Sequence, residues 1–150
     1  NISVAESCTG GLLSSSIIEV PGASDIFNSG FVTYSNNAKI KHLGVNRDIV
    51  KKFGAVSNET SLAMAKGLYK ISKSNLIVSI TGVAGPSGGT LKNPVGTVYF
   101  TFGVRQNKKT ISYSTYRHNF KSKNRVGIQK KSVNYVLDKF IEIARTYKLD

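Results

Sequence analysis

The feature that most constrains the fold is an almost continuously apolar run at residues 75–81, Asn-Leu-Ile-Val-Ser-Ile-Thr. Runs of this length without a polar face are typical of a central strand that is covered on both sides. The preceding segment repeats its apolar residues with helical spacing, and Ser57 stands where an N-cap residue is expected. A helix that leads into a buried strand predicts a sheet packed between helices.

The other segments alternate between strand and helix periodicity. Strand patterns end at Ala5, cover residues 30–34, and alternate cleanly over residues 95–104 before a polar turn at 106–109 and a partner strand around Tyr113. Helical patterns cover residues 12–20, 36–42 and 45–53, and a long helix follows Ser122. This order predicts a single three-layer α/β/α domain over residues 1–150, with a mixed sheet that includes an antiparallel hairpin.

The chain is strongly basic. Its 21 Lys and Arg residues against 8 Asp and Glu residues give a formal net charge of +13. Such an excess attracts polyanions and steers anionic ligands toward the surface. The basic residues are spread along the chain, however, and the aromatic–basic signatures of the common RNA-binding modules are absent. Nucleic acid is therefore an open but not a favoured partner.

Cysteine content and hydropathy limit the cellular compartments in which we expect this chain. Cys8 is the single cysteine, so no intrachain disulfide can form and a zinc site built on several cysteines is excluded. The apolar runs are far shorter than the roughly 20 residues that a membrane span needs, and no signal-peptide pattern is present. These features predict a cytoplasmic protein without membrane attachment.

The first candidate site is the junction between the opening strand and the first helix, at residues 5–11. Ligands gather at the carboxyl ends of strands in open α/β sheets, and the helix would offer free N–H groups and the positive end of its dipole. We therefore expect an oxyanion to be stabilised by backbone amides of Cys8, Thr9, Gly10 and Gly11. Ser7 on its own is more often a helix cap than a nucleophile.

Two further segments carry candidate groups. Residues 30–39 place Tyr34 at a strand end and Lys39 about one helical turn later. A partly buried lysine with a lowered pKa can take the proton of a serine hydroxyl, whereas an isolated lysine is by default a solvated surface residue. Residues 81–89 form a Gly-rich loop after the most buried strand. That loop either wraps a phosphate with backbone amides or is a flexible connection.

Three other reactive side chains are interpreted as non-catalytic. Cys8 could itself attack a substrate, but no histidine is placed in the sequence to activate it, which favours a packed thiol. His42 and His118 have no second histidine or carboxylate at the spacing of metal ligands. The sequence therefore predicts no metal site.

Together these segments resemble the CinA C-terminal domain family, the nicotinamide mononucleotide deamidases. Five stretches carry the resemblance in the family's order and spacing, over nearly the whole chain: residues 5–11, 30–39, 54–57, 79–86 and 94–98. The resemblance implies hydrolysis of the carboxamide of nicotinamide mononucleotide, an anionic nucleotide, to nicotinate mononucleotide and ammonia. It implies no metal and no organic cofactor.

The resemblance also implies roles for individual residues by motif position. Ser7 would be the nucleophile, Lys39 its general base, and Tyr34 a group that assists the proton transfers. Thr81 and the loop that runs from Gly82 through Gly85 to Gly89 would line the pocket. Arg125 would hold the substrate phosphate.

The chain departs from the family pattern in two places. The family usually begins with a helix before the first strand; it is absent here, which would leave the sheet less covered. The family's Gly-Asp-Arg before the last helix appears as Lys123-Asn124-Arg125, and the basic residue often found one turn later is Gln129. These changes would alter the shape of that loop and the affinity for phosphate, or abolish activity.

Two alternatives stay open from the sequence. One is a non-catalytic relative that serves as a partner-binding domain in competence or DNA repair. The other is a basic nucleic-acid-binding domain, which the net charge favours. The resemblance further implies a homo-oligomer, because relatives tend to self-associate.

Overall fold

A mixed five-stranded sheet with the order β2-β1-β3-β4-β5 organises the molecule. The computed structural model describes residues 1–107 and 110–147. The strands are β1 (Ile2–Glu6), β2 (Phe27–Val32), β3 (Leu76–Gly82), β4 (Thr97–Arg105) and β5 (Ile111–Asn119). The first three run parallel, and β3, β4 and β5 pair antiparallel in sequence. The predicted mixed sheet with an antiparallel hairpin is confirmed.

Helices cover both faces of this sheet. They are α1 (Leu12–Ile18), α2 (Asn36–Leu43), α3 (Arg47–Phe53), α4 (Asn58–Ser72) and α5 (Arg125–Tyr147), with a short 3-10 turn at Ala23–Asp25. Leu13 of α1 and Val136 of α5 belong to the hydrophobic core on one face, whereas Met64 of α4 belongs to the core on the other. The three-layer arrangement predicted from the sequence is therefore confirmed.

The apolar run at residues 75–81 forms the centre of the sheet as predicted. β3 pairs with β1 on one side and with β4 on the other, and its side chains from Leu76 to Thr81 are buried. The alternation in β4 is also confirmed. Phe100 and Phe102 pack in the core beneath α5, whereas the Thr101 hydroxyl meets Ser61 of α4 at 2.8 Å on the opposite face.

Some element ends differ from the sequence prediction. β2 begins at Phe27 and ends at Val32 instead of Tyr34, because the carbonyls of Thr33 and Tyr34 turn toward Lys39. α1 ends at Ile18, ahead of Pro21-Gly22. In the polar turn before β5, the amide of Gln106 donates to the Thr110 carbonyl at 2.9 Å, and residues 108 and 109 lie outside the described residues.

The last helix, α5, is the longest at 23 residues and begins at Arg125 rather than at Ser122. Within the described ranges, no helix combines the length and the apolar character that a membrane crossing requires. The cytoplasmic location expected from the sequence stays a prediction.

Candidate active site

Strand β1 delivers Ser7 to the carboxyl edge of the sheet. The Ser7 amide donates to the Ile80 carbonyl of β3 at 3.0 Å, and the Thr33 amide donates to the Glu6 carbonyl at 2.8 Å. The serine is thus fixed between the central strand and the segment that leaves β2. Its side chain is buried, with 7% of its surface exposed.

The structure brings Ser7 and Lys39 together. Lys39 lies in α2 with 1% of its surface exposed, and its Nζ donates to Ser7 Oγ at 2.9 Å. The same nitrogen donates to the carbonyls of Thr33 at 2.9 Å and Tyr34 at 3.1 Å. None of the carboxylates that the structure describes contacts it, so its hydrogen-bond partners are neutral oxygens.

This setting makes the neutral form of Lys39 more accessible than that of an exposed lysine. Burial lowers the pKa of the Lys39 amine from 10.5 to about 8, because desolvation penalises the charged form. A neutral amine has two N–H groups and one lone pair. Its two N–H groups can stay on the carbonyls of Thr33 and Tyr34 while the lone pair accepts the Ser7 hydroxyl proton. The three contacts therefore suit the base form as well as the charged form.

A cleft of about 350 Å³ opens beside this pair. That volume falls in the range of sites for small organic ligands. Residues from five segments line it: Ser7, Cys8, Tyr34, Lys39, Ala55, Val56, Thr81, Gly82, Val83, Ala84, Gly85, Ser87, Gly88 and Arg125. The predicted residues Ser7, Lys39, Tyr34, Thr81, Gly82, Gly85 and Arg125 thus share one cavity, and their roles stay predictions.

Arg125 bridges two walls of the cleft. Its Nη1 donates to the Gly85 carbonyl at 2.8 Å and its Nη2 donates to the Tyr34 hydroxyl at 2.9 Å. The side chain therefore connects the first turn of α5 to the Gly-rich loop and to the segment before α2. Tyr34 itself is 62% exposed, so its hydroxyl is reachable from solvent.

The Gly-rich loop follows β3 closely along the cleft. A Cβ at Gly82 would lie 2.7 Å from the Thr97 carbonyl oxygen, and one at Gly85, where φ is +81°, would lie 2.6 Å from Val95. Both positions therefore need glycine. Within the described chain, the amides of Ser87 and Gly88 donate to no other group, so a ligand anion can use them.

The N-terminus of α1 is not free, and here the sequence expectation is wrong. The buried Glu6 carboxylate accepts the amides of Gly11 at 3.1 Å, Leu13 at 3.0 Å and Ser14 at 2.8 Å, and the Ser14 hydroxyl at 2.7 Å. An internal carboxylate already occupies the positive end of the helix dipole. This role of Glu6 was not predicted from the sequence, where the available signal was a carboxylate just before a helix whose first turn has no acid of its own.

These hydrogen bonds reduce the number of backbone amides that can donate to an oxyanion. The Gly11 amide is taken by Glu6, and the Gly10 amide donates to the Ser7 carbonyl at 3.1 Å. Thr9, Gly10 and Gly11 do not line the cleft, whereas Cys8 does. In the described part of the chain the amides of Cys8 and Thr9 donate to no other residue, and the Cys8 backbone contacts only its own thiol, which leaves these two amides as the candidates within residues 8–11.

The cysteine and histidines are not arranged as reactive groups. Burial raises the pKa of the Cys8 thiol to about 12, so it is a protonated, packed thiol at neutral pH. His118 packs against Phe100 and Tyr135, and neither His118 nor the exposed His42 lines the cleft. Among the described residues, no three His, Cys, Asp or Glu side chains cluster as metal ligands do.

The departures before α5 are accommodated by the fold. Asn124 Oδ1 accepts the Gly127 amide at 2.8 Å, which is the N-cap contact that an Asp would make. Lys123 needs no left-handed backbone, since Lys73 is the one non-glycine residue with positive φ in the described ranges. The amide of Gln129 donates to the Cys8 carbonyl at 2.8 Å instead of facing the cleft.

Comparisons with known proteins agree with one another. The family model of the CinA C-terminal domain matches residues 1–144. A putative competence-damage inducible protein of Clostridioides difficile is 56% identical over 110 residues, which are 73% of this chain and 26% of that protein. A CinA-like protein of Endomicrobium trichonymphae is 49% identical over 137 residues, 91% of this chain and 31% of that protein. The chain thus spans about a quarter to a third of the length of these relatives.

Solved structures show the same likeness. The competence/damage inducible protein CihA from Agrobacterium tumefaciens superimposes with a TM-score of 0.87 at 38% identity, over 94% of this chain and 83% of that one. The competence damage-inducible protein A from Klebsiella pneumoniae gives a TM-score of 0.87 at 29% identity, over 95% of this chain and 84% of that one.

Proposed function

This chain belongs to the CinA C-terminal domain family, and we propose that it is an amidohydrolase that converts nicotinamide mononucleotide to nicotinate mononucleotide and ammonia. The observation that carries the proposal is the 2.9 Å contact between Lys39 Nζ and Ser7 Oγ at the wall of a ligand-sized cleft. A serine hydroxyl becomes a competent nucleophile when a neutral base receives its proton.

The proposed first half-reaction uses the two residues in turn. Neutral Lys39 takes the hydroxyl proton as Ser7 Oγ attacks the carboxamide carbon. Backbone amides of the turn that follows Ser7 stabilise the oxyanion, an effect of about 3 kcal/mol per donor in comparable sites. The ammonium of Lys39 then returns its proton to the leaving nitrogen, which departs as ammonia. The carboxamide carbon stays bonded to Ser7 as an ester.

Water completes the cycle in the second half-reaction. Lys39, neutral again, takes a proton from the water that attacks the ester, and the Ser7 oxygen leaves with that proton. The products are the nicotinate carboxylate and the free serine. Tyr34 is the third proposed participant, as its exposed hydroxyl at the cleft wall can assist these proton transfers.

Substrate binding is proposed to rely on the phosphate. Arg125 keeps N–H groups beyond the two that it donates to Gly85 and Tyr34, and guanidinium groups bind phosphate well. The unpaired amides of Ser87 and Gly88 lie on the same cleft. Both groups would hold the substrate phosphate in the same cleft that Ser7 lines.

The test is ammonia release from nicotinamide mononucleotide by the purified chain. We expect turnover that falls to background in Ser7→Ala and by orders of magnitude in Lys39→Ala. The matched control is Ser15→Ala, an exposed serine on α1 that should keep wild-type turnover. Folded wild-type protein without turnover, or Ser7→Ala with full turnover, would contradict the proposal.

A second candidate is a nucleic-acid-binding domain, favoured by the net charge of +13. Within residues 1–107 and 110–147 the single ion pair joins Lys139 and Glu142, so most basic side chains are not neutralised internally. DNA binding that weakens steeply with salt, without amidase turnover, would select this function.

We also propose that the chain forms a homo-oligomer. Sedimentation velocity measures the oligomeric state directly.

A further inference from the structure

The loop between β3 and β4, residues 83–96, is attached to the walls of the cleft at two points. Near its start the Gly85 carbonyl accepts Arg125 Nη1 at 2.8 Å. Near its end Asn93 Nδ2 donates to the Val56 carbonyl at 2.8 Å. Val56 and Gly85 both line the cleft, whereas Asn93 does not. The loop is thus fixed to the first turn of α5 on one side and to the connection between α3 and α4 on the other.

Few hydrogen bonds hold the stretch between these two points, and residues 86–90 are exposed. The Thr90 amide donates to the Asn93 carbonyl at 2.9 Å and the Asn93 amide donates to Thr90 Oγ1 at 3.0 Å, which closes a small turn within the loop. Of the hydrogen bonds that the structure describes, one more reaches this stretch, an exposed contact of 3.0 Å from Arg117 Nη2 to the Lys92 carbonyl. Asn93 therefore makes the partly buried contacts that fix it.

The Asn93 side-chain amide has one defined orientation. Val56 offers a carbonyl, which can only accept, so the amide nitrogen faces Val56. The amide oxygen then faces Tyr99, whose hydroxyl donates to Asn93 Oδ1 at 3.2 Å. The next residue is Pro94, which disfavours helical backbone at Asn93. The side chain is therefore held by partners at both ends of its amide group.

The segment that contains Val56 is fixed independently of the loop. The Ala55 carbonyl accepts Thr81 Oγ1 at 2.7 Å, and the Ser57 hydroxyl donates to the Gly54 carbonyl at 3.0 Å. Both sequence neighbours of Val56 thus already have hydrogen-bond partners. The contact with the Val56 carbonyl therefore positions the loop on this wall, and not the wall on the loop.

We infer that Asn93 is a positioning residue for ligand binding: by holding the loop on the Val56 carbonyl, it keeps the amides of Ser87 and Gly88 in place for an anion in the cleft. Those two amides donate to no other group anywhere in residues 1–107 and 110–147, and both residues line the cleft. Donors that are ordered before the ligand arrives bind it more tightly, because less conformational freedom is lost on binding. The inference rests on the proposed function only in taking the anion to be the substrate phosphate.

The test measures anion binding without the amide substrate. Inorganic phosphate is titrated into the isotope-labelled chain, and amide proton–nitrogen correlation spectra follow the resonances of Ser87 and Gly88. Hydrolysis of nicotinamide mononucleotide then gives kcat and KM. Asn93→Leu keeps the approximate size of the side chain without its amide, and Tyr99→Phe removes the hydroxyl that orients that amide. Asn134→Leu is the matched control, an exposed asparagine on α5.

We expect phosphate to shift both amide resonances in the wild-type protein. Asn93→Leu should raise the Kd of phosphate and the KM of the nucleotide by about threefold to tenfold. Its kcat should stay within about twofold of wild type, because Ser7 and Lys39 take their hydrogen bonds from other segments. Tyr99→Phe should give a smaller rise in Kd, and Asn134→Leu none.

Three results would overturn the inference. The first is that the wild-type amides of Ser87 and Gly88 do not respond to phosphate, and the second is that Asn93→Leu binds phosphate with the wild-type Kd. The third is a fall in kcat as large as the rise in KM, because a general loss of structure would then explain the variant. If the phosphate titrations behave as expected but the nucleotide is not hydrolysed, the inference stands and only the proposed function fails.

Discussion

The guanidinium of Arg125 donates to the hydroxyl of Tyr34 across 2.9 Å, which ties the first turn of α5 to the segment that precedes α2. The bond uses the phenol oxygen as an acceptor and leaves its proton free for a ligand in the cleft. Tyr34→Phe removes both functions without removing the ring. Because Tyr34 is exposed, we expect unchanged thermal unfolding and at least a roughly tenfold loss of kcat/KM.

Tyr116→Phe is the matched control for this change. Tyr116 is a partly exposed tyrosine on β5 that does not line the cleft, so its variant should hydrolyse the nucleotide at the wild-type rate. Equal kcat/KM in Tyr34→Phe and wild type would remove the phenol from the mechanism.

Lys39 predicts the pH dependence of the reaction. The amine must be neutral to accept the serine proton, and burial lowers its pKa to about 8. The rate should therefore rise about tenfold per pH unit below that value and level off above it. Steady-state kcat/KM measured between about pH 6 and about pH 10 checks this. A rate that is flat across that interval would mean that another group is the base.

The same group predicts how stability depends on pH. In the unfolded chain the Lys39 amine binds a proton up to about pH 10.5, whereas in the folded protein it does so only up to about pH 8. Between these values the unfolded state binds more protons, so folding stability rises with pH. From about pH 7 to about pH 9.5 we expect a gain of about 2 kcal/mol from this residue.

Lys39→Met isolates that contribution. Both proteins are unfolded with urea at about pH 7 and at about pH 9.5. Comparing them cancels the contribution of all other titrating groups, which the two proteins share. The free energy of unfolding of wild type should rise relative to that of Lys39→Met as pH rises. A constant difference would show that the Lys39 pKa is the same in the folded and unfolded chain.

Much of the fold is readable from local pattern because it depends on local physics. The buried strand β3 and the cap at Ser57 follow from apolar runs and side-chain chemistry within a few residues, and both are present. The site is different. Lys39 is like many other lysines in the sequence, and only the resemblance to a family distinguished it. Its burial depends on how the fold places α2 against α4, Ser7 and the segment that follows β2.

Contacts between distant segments escaped the sequence analysis altogether. Gln129 was expected to affect phosphate affinity, but its amide lies on the Cys8 carbonyl. Glu6 caps α1 from across a turn that includes Ser7, a spacing outside the usual capping patterns. Neither contact leaves a periodic signal, because each depends on where the chain goes between the two partners.

Glu6 supports a prediction about stability. Glu6→Ala leaves three backbone amides without their acceptor, one of them buried and two partly buried. We expect a loss of about 3 kcal/mol in the free energy of unfolding, measured by urea denaturation. Glu19→Ala, at the exposed C-terminal end of the same helix, should change it by about 0.5 kcal/mol or less. Equal losses in the two variants would show that the buried carboxylate is not an effective cap.

The amine of Lys39, the proposed base, is oriented by main-chain oxygens, those of Thr33 and Tyr34. In a Ser-His-Asp triad the orienting group is a side chain, which a single-nucleotide change in one codon can delete. Every amino acid encoded at positions 33 and 34 supplies the same carbonyl. A point mutation at those codons therefore leaves in place the two carbonyls that orient the proposed base, because they belong to the backbone and not to a side chain.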